Sequence, residues 1–117
     1  MIFSTNPIIE KAKRQLIEYF KGTRRNFALP VKPEGTEFQQ KVWHLLMDIP
    51  YGDTLTYQEL AERAGNSKAS RAVGIANSKN PISIIIPCHR VVRKNGESGG
   101  YAGGVVNKKY LLRLESR

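Results

Sequence analysis

One cysteine, Cys88, is all the thiol chemistry that this chain of 117 residues holds. A lone cysteine excludes an intramolecular disulfide and any multi-cysteine zinc site, and no metal is expected. A free thiol fits a reducing, intracellular compartment. Acidic residues are scarce as well: ten stand against nineteen lysines and arginines, a formal net charge of +9 with neutral histidines. That excess favours a polyanion as partner, although a merely soluble basic domain would also carry it. No apolar stretch approaches the ~20 residues needed to span a bilayer, so no membrane partner is expected. Met1 to Pro7 has neither the charged lead nor the apolar run of a secretory signal. Internal repeats and low-complexity tracts are missing too. What is present is length enough for one domain around a single modest core.

Helix signals dominate the chain. Asn6-Pro7 reads as a cap followed by proline at the first helical position. Ile8, Ile9, Ala12, Leu16 and Phe20 then recur at helical spacing, which predicts a first helix to about Lys21, closed by Gly22. Arg24 to Pro33 reads as an extended connector broken by prolines. Thr36 with Gln39 forms a capping box for a second helix, striped by Phe38, Val42, Leu45, Leu46 and Ile49 and stopped by Pro50. Trp43 and His44 on it read as packing or surface residues. Thr56 with Glu59 makes another capping box, and a short helix follows to Gly65. Ser67 is expected to cap a fourth helix from Lys68 to about Asn77.

Two short helices joined at a glycine are the pattern of a helix-turn-helix, or of an ordinary helical hairpin in a bundle. The second of them opens with Ser67, Lys68, Ser70 and Arg71 and continues with Ala69, Ala72, Gly74 and Ala76. A major-groove reader presents longer polar side chains to base edges. Small residues allow close backbone approach, which suits a minor groove. Beyond it, Ile82 to Ile86 reads as a short buried strand, which Val91-Val92 continues past Cys88. Arg93 to Gly104 is glycine-rich but lacks the ending of a phosphate-binding P-loop. Asn107 is expected to cap a last helix through Tyr110, Leu111, Leu112 and Leu114. The fold class is therefore mostly α: a helix-turn-helix, winged-helix-like domain with a short β element beside the cysteine.

Cys88 lies in Pro87-Cys88-His89-Arg90. The thiolate is the reactive form, and a free thiol titrates near ~8.5, so a nucleophilic cysteine needs help at neutral pH. His89 can supply it, and Glu115 can orient the histidine. The competing reading is a small buried hydrophobe. Neighbouring side chains on an extended segment point to opposite faces, so contact between Cys88 and His89 requires a bend at Pro87 or a bridging water.

With these residues assembled, the sequence resembles the O6-alkylguanine-DNA alkyltransferases. Ile86-Pro87-Cys88-His89-Arg90-Val91-Val92 carries the likeness. Gly35-Thr36-Glu37-Phe38-Gln39, Thr56-Tyr57-Gln58-Glu59-Leu60-Ala61, Ser70-Arg71-Ala72-Val73-Gly74, Asn80-Pro81 and Tyr101-Ala102-Gly103-Gly104 support it. The likeness spans Gly35 to Arg117, 83 residues. It implies stoichiometric, irreversible alkyl transfer from O6-alkylguanine in double-stranded DNA to Cys88, with nucleotide flipping, no cofactor and a monomeric protein. O4-alkylthymine is a second candidate substrate. By the same resemblance, His89 and Glu115 activate Cys88 through a water, Asn80 braces the active-site turn, and Tyr57 protonates the leaving guanine and presses on the phosphate. Arg71 fills the gap left by the flipped nucleotide, with Ser67, Lys68, Ser70, Ala72 and Tyr57 at the DNA. Pro87, Tyr101, Ala102 and Gly103 line the base pocket.

Two departures stand out. Family members usually carry an N-terminal α/β domain, with metal ligands in some, whereas here about 34 residues precede the match. Residues 1–34 are expected to be a helix and connector in a minimal or truncated form, and residues 35–117 the catalytic and DNA-binding domain. Ala102 stands where some members have serine, as in bacterial members that tolerate bulkier alkyl groups. Two other readings remain open: an alkyltransferase-like protein that marks lesions without accepting the alkyl group, and a helix-turn-helix regulator with an inert Cys88.

Overall fold

In the computed structural model the described residues are 7–29, 33–95 and 104–116. They divide into two units, residues 1–32 and 33–117. The first holds α1 (Pro7–Phe20), which starts on the expected proline; Gly22 follows it at φ 82°, a conformation open to glycine at little cost. The chain after it lies back on α1. Gln15 clasps Ala28 from both sides: its Nε2 donates to the carbonyl at 3.2 Å, and its Oε1 accepts the N–H at 2.9 Å. Tyr19 packs against Phe20 and Phe27 at ring-centroid distances of 5.3 and 5.5 Å. Residues 24–29 form no strand.

The second unit runs α2 (Glu37–Met47), β1 (Leu55–Thr56), α3 (Tyr57–Arg63), α4 (Ser70–Ser78), a 3-10 turn (Cys88–Arg90), β2 (Val91–Val92) and α5 (Val105–Glu115). Both capping boxes form as the sequence indicates. Thr36 and Thr56 accept from the N–H groups of Gln39 and Glu59 at 3.0 Å, and those residues' side chains accept back at 2.9 Å. The apolar stripes of α2, α3 and α4 meet in one core of Val42, Trp43, Leu46, Leu60, Ala61, Val73 and Ala76, and Leu111 and Leu114 of α5 are buried as well. Trp43 is indeed a packing residue, and its indole N–H donates to the Ala76 carbonyl at 2.9 Å. His44 is exposed, and so is Phe38, despite its place in the predicted stripe. β1 and β2 pair in parallel, Leu55 with Val91 and Thr56 with Val92. The mostly α expectation with a short β element beside the cysteine therefore holds.

Three local expectations do not. Ser67 does not cap α4, which begins at Ser70 after Ala69 with no side-chain cap. The Asn66 side chain accepts the Lys68 N–H at 3.0 Å, and the Ser67 carbonyl accepts from Gln58 Nε2 at 2.8 Å, so this stretch forms a turn. Ile82 to Ile86 is not a strand. Asn80 winds it into a loop, accepting the Ile82 N–H at 3.0 Å and donating to the Ile86 carbonyl at 2.7 Å. Ile84 takes φ 75°, a left-handed value strained for a β-branched side chain. Asn107 sits inside α5; Gly104 precedes the helix at φ 96° and accepts its first bond, from Lys108 N–H at 3.0 Å.

Candidate active site

The residues around Cys88 are fixed through their backbone. The Cys88 N–H donates to the Ile86 carbonyl at 2.8 Å, and the Arg90 N–H to the Pro87 carbonyl at 3.0 Å. Three side chains then hold the carbonyls of this segment. Asn80 takes that of Ile86, Asn77 Nδ2 that of Cys88 at 3.3 Å, and Lys108 Nζ that of Val91 at 2.6 Å. The end of α4 and the first turn of α5 thus grip the cysteine turn from two directions. Asn80 also accepts the Ile82 N–H at 3.0 Å. Asn77 and Lys108 escaped the sequence reading, because their partners are backbone carbonyls that no side-chain pattern reveals.

The bend that contact between Cys88 and His89 demands is present, since Cys88–Arg90 is a 3-10 turn and not extended chain. Pro87 is buried, Cys88 is 1% exposed and His89 is 0% exposed. His89 Nε2 lies 2.7 Å from Glu115 Oε2. The same carboxylate accepts from Arg90, Nε to Oε1 at 2.8 Å and Nη2 to Oε2 at 2.9 Å. With Nε2–H donating to Glu115, Nδ1 is the ring nitrogen left to accept. Nδ1 is buried and has no hydrogen-bond partner among the described residues. His89, which follows the thiol directly, thus bonds to an orienting carboxylate at the C-terminal end of α5 and keeps a second ring nitrogen. Such a set can take the proton of Cys88 and leave a nucleophile.

Tyr57, the first residue of α3, lies half-buried alongside. Burial raises its pKa, the Cys88 thiolate adds to that rise and Arg93 opposes it, so the phenol keeps its proton at neutral pH. The Lys108 ammonium sits 5.8 Å from the centroid of the Tyr57 ring. Lys108 is fully buried. Burial lowers its pKa to about 8; Cys88 acts against that shift and Arg93 with it. A Cβ placed on Gly74 would stand 3.6 Å from the Tyr57 ring, so α3 and α4 are close here.

Of the predicted DNA-contacting residues, Tyr57 opens α3 and the others lie at the start of α4 and in the turn before it. Ser67, Lys68, Arg71 and Ala72 are exposed. Ser70 is tied to Gln58, its hydroxyl donating to Oε1 at 3.0 Å. Arg71, Ala72 and Ile75 share the outer face of α4, with Val73, Ala76 and Asn77 on the inner one. Tyr101, Ala102 and Gly103 lie outside the described residues. Among the described residues no cluster of His, Cys, Asp or Glu could hold a metal ion, and no helix is long and apolar enough to cross a membrane.

Residues 37–117 match the family model described as 6-O-methylguanine DNA methyltransferase, DNA binding domain. The chain is 56% identical over 105 residues to a methylated-DNA–protein-cysteine methyltransferase of Methanosarcina acetivorans, covering 90% of this chain and 67% of that protein. It is 51% identical over 110 residues to the protein of the same name from Mycobacterium leprae, covering 94% and 67%. Among solved structures it resembles Mycobacterium tuberculosis OGT in complex with DNA, at a TM-score of 0.90, 47% identity and coverage of 92% and 67%. Schizosaccharomyces pombe Atl1, in complex with damaged DNA containing O6-carboxymethylguanine, is also similar, at a TM-score of 0.61, 32% identity and coverage of 71% and 79%. The chain spans about two thirds of the length of the methyltransferases it matches.

Proposed function

Because this chain belongs to the methylated-DNA–protein-cysteine methyltransferase family, we propose that it repairs DNA by moving an alkyl group from O6-alkylguanine to Cys88. The partner is double-stranded DNA carrying alkylated bases, and the protein acts on it as a monomer. Residues 35–117 carry the chemistry and the DNA contacts, and residues 1–34 are a helix and connector.

The alkylated oxygen is shut inside the base stack, so the nucleotide has to turn out of the duplex at a cost of a few kcal/mol. Arg71, long and cationic on the outer face of α4, enters the space left behind. The small residues around it let the helix approach the minor groove. Ser67, Lys68, Ser70, Ala72 and Tyr57 position the backbone, and Pro87, Tyr101, Ala102 and Gly103 receive the base.

Chemistry follows in one displacement. The Cys88 proton passes through a water to His89 Nδ1, and Glu115 steadies the imidazolium through Nε2. The sulfur attacks the alkyl carbon, a C–S bond forms and the C–O bond breaks. Guanine leaves with a proton from Tyr57, whose raised pKa keeps that proton available. The Lys108 charge lies within electrostatic reach of the thiolate. The product is a thioether, a poor leaving group, and the chain has no second cysteine to relieve it. Each molecule therefore acts once.

The observation that carries this reading is the 2.7 Å bond from His89 to Glu115 directly after a buried thiol. Incubation with a duplex containing O6-methylguanine, followed by intact mass and peptide mapping, tests it. The expected result is one methyl on Cys88, absent in Cys88→Ser. Tight binding of the lesion with no mass gain would favour the lesion-marking reading that the likeness to Atl1 allows.

A further inference from the structure

Arg90 is 5% exposed, and the mechanism above makes no use of it. Every arm of its guanidinium is committed. Nε and Nη2 fork onto the two oxygens of Glu115 at 2.8 and 2.9 Å. Nη1 donates to the Ile49 carbonyl, just past α2, at 2.6 Å. The Tyr51 ring lies 5.7 Å from its centre, and the Tyr51 hydroxyl donates to the Leu114 carbonyl at 3.3 Å. The carboxylate that meets His89 is thus held by a cation which is itself anchored outside both the cysteine turn and α5.

We propose that Arg90 is a positioning residue for alkyl transfer: its fork fixes the plane and the charge of Glu115, and through Glu115 it sets the orientation and tautomer of His89. A bidentate guanidinium–carboxylate pair specifies geometry as well as charge. Because Arg90 already balances the buried anion, His89 is not needed as its counter-charge. The imidazole donates from Nε2 to the held carboxylate and leaves Nδ1 for the thiol proton. Without the fork, Glu115 faces the imidazole alone and is free to rotate or to take up a proton. Either change disturbs the histidine on which the thiolate depends.

This proposal rests on the alkyl-transfer reading, and the test separates the two. Single-turnover rates at saturating O6-methylguanine duplex are measured for wild type, Arg90→Gln, Glu115→Gln and the double variant, with duplex affinity measured beside them. Failure of the wild type to methylate Cys88 would sink the function and not this inference alone. With an active wild type, each single variant is expected to slow transfer by about tenfold or more, with affinity held within about twofold. The double variant should be no slower than the slower single variant within about twofold, since residues acting as one unit do not add. Independent roles would multiply, and a multiplicative double variant, or Arg90→Gln at the wild-type rate, overturns the proposal. If Arg90→Gln does not fold, Arg90→Lys takes its place in the same cycle, because its ammonium keeps the charge and loses the fork. Slow transfer that Glu115→Gln does not slow further supports the proposal, and a wild-type rate in Arg90→Lys refutes it.

Discussion

Lys108 shows how a single residue can leave a mark on the whole stability curve. It is a fully buried cation with its pKa lowered from 10.5 to about 8, chiefly by burial. A lysine whose folded pKa lies below its unfolded value penalises the fold while both states are protonated. The penalty is relieved as pH rises from about 8 towards 10.5, where the unfolded chain binds the extra proton. Wild type should therefore gain stability over Lys108→Met by about 1–2 kcal/mol between pH 7.5 and 9.5, read from denaturant unfolding of both proteins. A difference that stays flat over that range would mean that the ammonium is not desolvated. Staying below pH 10 keeps Tyr57 out of the comparison, since its raised pKa costs stability only above its unfolded value. Nothing in the sequence marks Lys108 or Asn77 as parts of the site, and Arg90 stands in the cysteine motif without a stated role, because a carbonyl or a distant carboxylate satisfies each of them. Cys88, His89 and Glu115 were legible, because their residue types state a chemistry even before their contacts are known.

At the scale of elements, what could be read depended on whether the signal was local. Both capping boxes close within three residues, so Thr36 and Thr56 announced α2 and α3 correctly. The loop at Ile82–Ile86 is shaped by Asn80, and its isoleucines look like a strand until that side chain is placed. Ser67 and Asn107 carry the right cap chemistry but lie off the ends of their helices. Tertiary contacts outweighed local preference at each of these places. The entry to α2 offers a sharper test of packing. A Cβ on Gly35 would stand 2.6 Å from Trp43 Cη2 and 2.7 Å from Gln39 Oε1. Gly35→Ala must therefore shift the buried tryptophan that bonds to Ala76, or break the capping box. Overpacking of this kind costs about 1–3 kcal/mol, and the expected result is a matching loss in thermal or denaturant stability. An unchanged midpoint would show that Trp43 is not held where α2 and α4 meet.

Across the whole chain, the basic excess is spread and not confined to the reading helix: seven of the nineteen basic residues, with only two of the ten acids, lie in residues 1–32. The sequence could state that charge and the attraction to polyanions it implies. It could not show a buried thiol seated between the end of one helix and the beginning of another, with the proposed DNA-contacting face of α4 on the outer side of that first helix. The central claim is that Cys88 is consumed as it repairs. It is tested most directly by adding excess O6-methylguanine duplex to known amounts of protein and counting the lesions removed. The account predicts a plateau at one lesion per Cys88, with no further repair on longer incubation or on a second addition of DNA. Repair continuing past one equivalent, or a plateau reached equally by Cys88→Ser, would contradict it.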